Sequence, residues 1–152
     1  MKVATICKRG AVTVTPRQEI IAAAALMRER HVGFLVVVEQ HGRPVGVLTD
    51  RAIVVSVVAK GADPSLLTVG DIMTEDPITA HEDDSVEHAL RTMHRLGVHR
   101  LPVVGAKGQL TGVLSFDDVL DVIAAEMGEV SGAVHSGQQI EGALRPEDTK
   151  VG

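Results

Sequence analysis

Apolar positions in this chain come in short runs broken by glycine, proline or charge, a pattern that predicts alternating short strands and helices. Residues 11–15, AVTVT, read as a brief strand, and Pro16 opens a helix from about Arg17 to Arg30. Within it, residues 20–27 are apolar around the whole circumference, so the helix is expected to be buried on more than one side. Residues 34–38 and 44–48 form a hairpin about Gly42, its first strand too continuously apolar to keep a wet face. Residues 52–59, AIVVSVVA, carry the β-branched content of a strand. They are read as a helix because of what stands in the second half of the chain.

The stretch VGFLVVVEQHGRPVGVLTDRAI at 32–53 recurs without a gap 66 positions later as VHRLPVVGAKGQLTGVLSFDDV at 98–119. Identities at the same offset include Thr13/Thr79, Ala23/Ala89, Met27/Met93, Leu35/Leu101, Gly46/Gly112 and Leu48/Leu114. The partner of 52–59 is DVLDVIAA at 118–125, built of good helix formers behind a start signal at Ser115. The second copy therefore predicts a strand at 78–80, a helix at 84–96, strands at 100–104 and 109–114, and a last helix to about Met127. Two copies are too few for a solenoid, which points to a closed pair of halves with a crevice between them. The expected fold class is α/β (α+β), two βαββα repeats related by a pseudo-twofold axis, at 1–66 and 67–127. Residues 128–152 are glycine-rich with no sustained helical period and read as a tail.

Composition narrows the function classes. The 152 residues are 45% apolar but hold only two aromatics, Phe34 and Phe116, so the core must be aliphatic. A net charge of −5 gives no support to nucleic acid or an anionic membrane as partner. The sequence shows no apolar run of membrane-span length and no signal-peptide stretch at MKVATICKRG, so a cytoplasmic location is the expectation. Cys7 is the single cysteine and excludes an internal disulfide. No histidines stand in a metal-ligand spacing on one helix face, and there is no P-loop, glycine-rich dinucleotide motif or catalytic triad order. Neither a metal site nor catalysis is expected.

The duplicated unit, the VGDIMTEDP lead-in at Val69, HRLPVV at His99 and GVLSFDD at Gly112 resemble a cystathionine-β-synthase (CBS) domain pair, or Bateman module, over about residues 1–127. The resemblance implies a stand-alone regulatory module that requires no cofactor and binds an adenosine-type ligand in the crevice: AMP, ADP, ATP, a dinucleotide or S-adenosylmethionine. The family's Gly-x-x-Ser/Thr-x-x-Asp signature is intact as Gly112, Ser115 and Asp118. A helix N-terminus there offers amide donors and positive dipole to phosphate, and the carboxylate can accept from ribose hydroxyls. By the family's geometry Cys7, Val12, Val32 and Val113 complete an adenine slot. The basic pair His99 and Arg100 faces phosphate, and few other cations are expected to reach it. In the first copy the position of Asp118 is Ala52, so the pseudosymmetric site at Thr49, Met73, Ile78, Val98 and His99 is expected to be weaker or empty.

Plainer readings stand beside these. Ser115-x-x-Asp118 also matches a helix capping box, and both roles can hold together. Cys7 beside apolar neighbours reads as packing, and Arg100 as a solvated strand end. At the level of the whole chain, the class-distinct alternative is an interaction or structural protein with no physiological nucleotide. Under either reading the all-round apolar helices predict a second subunit as their cover, and the resemblance implies that it is a second copy of the chain, a homodimer joined through the repeat helices, with an unknown protein as its regulated partner.

Overall fold

The structure is a computed structural model and describes residues 1–143. Two similar halves follow one another. In the first, β1 (Thr13–Val14) leads to α2 (Ile20–Arg30), the hairpin β2 (Phe34–Val38) and β3 (Pro44–Thr49), and α3 (Asp50–Ile53). In the second, β5 (Ala80–His81) leads to α5 (Val86–Leu96), the hairpin β6 (Arg100–Val104) and β7 (Leu110–Ser115), and α6 (Phe116–Ala143). Each hairpin strand pair is antiparallel and each opening strand lies parallel to the hairpin's first strand. The strand pairs keep the 66-residue offset, Leu35 opposite Leu48 and Leu101 opposite Leu114. The fold class read from the sequence is the one observed.

The helix over 52–59 forms, with a local change of pitch. After Ile53 the chain widens into a π-turn over Val54–Val58, where Ala59 N–H donates to Val54 O at 2.8 Å and Ala62 N–H to Val57 O at 3.0 Å. Crowded β-branched residues fit poorly in tight α-turns, and the wider turn still turns Val57 into the core.

Two departures from the sequence reading position the site. The lead-ins are exchanged between halves. Val3 and Cys7, from the one-turn helix α1 (Val3–Ile6) and its cap, are buried in the core of the second half with Leu101, Val103 and Leu114. Val69 of α4 (Val69–Ile72) is buried in the first core with Leu35, Val37 and Leu48. Lys8 and Val113 exchange backbone hydrogen bonds of 2.9 and 3.0 Å, and β4 (Thr74–Glu75) pairs with Gly46 and Val47 of β3. Each core therefore takes its edge from the other copy's lead-in.

The second departure is at the end. The helix expected to stop near Met127 runs on through Gly128 to Ala143. Its four glycines, Gly128, Gly132, Gly137 and Gly142, lower its propensity without breaking it, since no proline stands among them. The part of the expected tail beyond Ala143 lies outside the described residues. Among the described residues no helix is long and apolar enough to cross a membrane.

Candidate functional site

The hairpin β6–β7 and the start of α6 set the site. β7 delivers Ser115 at the helix N-terminus, and one turn later Asp118 comes back beside it. The Ser115 hydroxyl donates to Asp118 Oδ2 at 2.5 Å and accepts from Asp118 N–H at 3.1 Å, while Ser115 N–H donates to Oδ2 at 3.3 Å. The capping box is formed. Asp118 is only 8% exposed, and its other oxygen, Oδ1, meets Lys8 Nζ at 2.6 Å. Burial alone would raise the Asp118 pKa, but the hydrogen bonds from Lys8 and Ser115 outweigh it and hold the carboxyl below its ordinary range. The same contact raises Lys8.

Around this carboxylate lies an open cleft of about 410 Å³, within the roughly 300–1,000 Å³ usual for small-molecule sites. Both halves line it. Val12, Val32 and Phe34 come from the first, Arg100, Val113, Ser115 and Asp118 from the second, and Lys8 and Arg9 from the exchanged lead-in. Arg9 is itself anchored by Glu82, 2.5 Å away. Three cations and three carboxylates (Asp117, Asp118 and Asp121) thus share one cleft whose wall is aliphatic and aromatic. Such a cleft can hold a flat apolar ring with a polar, anionic end.

Of the residues expected here, Val12, Val32, Arg100, Val113, Ser115 and Asp118 are brought together. Cys7 and Gly112 do not line it. Cys7 is a buried core residue whose thiol pKa is raised by desolvation. Gly112 is where the lead-in crosses β7, and a Cβ there would stand 2.5 Å from Lys8 O and 3.3 Å from Cys7 Sγ. The glycine of the signature makes room for the strand that carries Lys8. His99 also lies elsewhere, in an apolar cavity with Met93, Val98 and Phe116, its ring 6.0 Å from that of Phe116.

The weaker site's residues stay outside the cleft. Thr49 caps α3 by accepting from Ala52 N–H at 3.1 Å, with no carboxylate to complete a box. Met73 packs on the first core beneath Gly46, Ile78 is half exposed, and Val98 sits with His99.

Sequence reasoning missed Lys8, Arg9 and Phe34. Phe34 is the register partner of Arg100, one of only two aromatics, and that signal was available. Lys8 and Arg9 could be found only by knowing that the lead-in changes halves, and they overturn the expectation that few other cations reach the cleft.

Comparison with known proteins gives the same architecture. The CBS domain family model matches residues 3–59 and 69–125. An uncharacterised protein of Methanopyrus kandleri is 34% identical over 122 residues, covering 80% of this chain, which spans only 62% of that protein. The CBS domain pair of protein MJ0100, solved in complex with 5′-methylthioadenosine and S-adenosyl-L-methionine, superposes with a TM-score of 0.74 at 26% identity. That match covers 83% of this chain and 98% of that one. CBSX2, solved in complex with AMP, gives 0.72 at 25% identity over 83% of this chain and 98% of its own. With both repeats matched and the duplicated fold in place, this chain belongs to the CBS domain family, as a tandem pair.

Proposed function

We propose that this CBS pair is a ligand-sensing regulatory module that binds an adenosine-type ligand in the cleft at Ser115 and Asp118 and catalyses nothing. The observation that carries the reading is the buried carboxylate at a helix N-terminus inside a two-sided cleft with an apolar wall and three cations. Val12, Val32, Val113 and Phe34 offer the wall for an adenine ring. Asp118 Oδ1 accepts from the ribose hydroxyls once Lys8, which is 76% exposed and free to swing, leaves it. Phosphate or another polar end meets Arg100, Arg9, the released Lys8 and the amides of α6. Complexes of similar CBS pairs with AMP and with S-adenosyl-L-methionine support this class of ligand.

One site per chain follows, because Ala52 stands where the second carboxylate would be. The exposed Ile21, Val54, Val55, Val58, Leu120 and Ile123 on the repeat helices support a homodimer as the working form. One observation favours the alternative of a pure interaction protein: Asp118 is already satisfied by Lys8 and Ser115 without any ligand.

Calorimetry with AMP, ADP, ATP, adenosine and S-adenosylmethionine separates the two. At a ligand concentration 100 times the dissociation constant the fold should gain about 2.7 kcal/mol. The chain has no Trp or Tyr and absorbs little at 280 nm, so a co-purified nucleotide also shows directly at 260 nm. If none of the five ligands binds at millimolar concentration, the adenosine reading is wrong.

A further inference from the structure

The ion pair between Lys8 and Asp118 has no counterpart in the first half of the chain. At the 66-residue offset Lys8 becomes Thr74 and Asp118 becomes Ala52, so both partners are lost together. The matching corner folds without them: β4 still pairs with β3, and Thr49 alone caps α3. The fold does not require the pair. In the second half it blocks the atom that a ligand needs. Asp118 is buried, and its Oδ2 is taken by the Ser115 hydroxyl and amide, so Oδ1 is the oxygen left for the cleft. Lys8 Nζ covers it at 2.6 Å. The Lys8 backbone is fixed by its two hydrogen bonds with Val113, while its side chain is exposed. A flexible stem on a fixed root can swing away without moving the strand.

Displacing Lys8 has a different consequence for each class of adenosine compound. A neutral nucleoside brings only ribose hydroxyls, and so replaces a charge-assisted contact to the buried carboxylate with weaker neutral donors. The freed ammonium is then left to Asp117 and Asp121, exposed carboxylates of the same cleft whose hold in water is weak. A cationic ligand fares worse, since the freed ammonium repels it. A phosphate-bearing ligand gives the ammonium a new anion in the same step. The other charges of the cleft make that partner necessary. Without Lys8, three carboxylates face only Arg9 and Arg100, and Arg9 is already paired with Glu82. An anion would enter against net repulsion.

We propose that Lys8 is a specificity-determining residue, which closes Asp118 Oδ1 to uncharged and cationic adenosine compounds and yields it to those carrying a phosphate, which it then binds. This deepens the adenosine reading above and rests on it. The test is calorimetry of AMP and adenosine on wild type and Lys8→Met, a variant of an exposed side chain that keeps the backbone pairing with Val113. Wild type should bind AMP at least about tenfold tighter than adenosine. In Lys8→Met the two affinities should move in opposite directions, AMP weakening about tenfold and adenosine tightening about threefold or more. Lys8→Arg, which keeps the charge, should keep the wild-type order. A plain phosphate contact would weaken AMP and leave adenosine unchanged, and a merely structural role would weaken both; either result overturns the exchange while leaving the adenosine site. If neither AMP nor adenosine binds wild type at millimolar concentration, the site and the exchange fall together.

Discussion

At the scale of single residues, the proposed chemistry of the cleft turns on Asp118, whose two oxygens hold Ser115 and Lys8 in the fold and would serve the ligand in the reading proposed above. Asp118→Asn keeps a cap acceptor but loses the charge. It should lower the affinity for a ribose-bearing ligand by about 2 kcal/mol, or roughly 30-fold, in calorimetry. An unchanged affinity would remove the carboxylate from the site. The pH dependence has a definite sign. The Asp118 carboxyl sits below its ordinary 3.8 in the folded chain, so its contribution to stability is present above that value and is lost as pH falls through the lower folded pKa. The difference in thermal stability between wild type and Asp118→Asn should therefore shrink below about pH 4. Gly112 is the other residue whose role is now explicit. Gly112→Ala drives a methyl into the backbone of Lys8, and thermal denaturation should show a loss of about 1–3 kcal/mol.

At the scale of elements, the two copies of a helix differ in how they end. Both α2 and α5 finish on a left-handed residue, His31 at φ 54° and Gly97 at φ 66°. Glycine adopts that conformation freely, while histidine is strained there. His31→Gly should raise the stability of the ligand-free chain by about 0.5–1 kcal/mol, the relief of strain exceeding the entropy gained by the unfolded glycine. A fall in melting temperature would show that His31 makes contacts worth more than its strain. The strand-like sequence of 52–59 illustrates the opposite case. Its β-branched residues would favour a strand alone, but the hairpin before it and the need to bury Val57 hold it helical, with the π-turn as the local accommodation.

At the scale of the whole molecule, the exchanged lead-ins tie the halves together. Neither core closes without the other copy's segment, so unfolding should be a single cooperative transition rather than two. The helix faces exposed among the described residues bear on the proposed homodimer. Val55→Glu, at a position 48% exposed in the single chain, should shift sedimentation toward monomer with the circular dichroism unchanged. An unaltered dimer would place the interface elsewhere.

The sequence by itself determined the repeat, and with it the architecture. A 66-residue offset kept through strands, helices and glycines requires two equal halves, and once the second copy showed a helix start at Ser115 the ambiguous 52–59 had to follow. It also determined the asymmetry of the site, because Ala52 cannot do what Asp118 does. What it could not fix was which half each lead-in joins, since ten residues with one apolar stripe fit either core equally well in pattern. Only the packing of Val3 and Cys7 against Leu101 and Leu114 decided it, and that choice brought Lys8 to Asp118 and Arg9 to the cleft. The length of α6 was likewise hidden, because glycines weaken a helix without ending it and the helical continuation shows in the backbone rather than in composition.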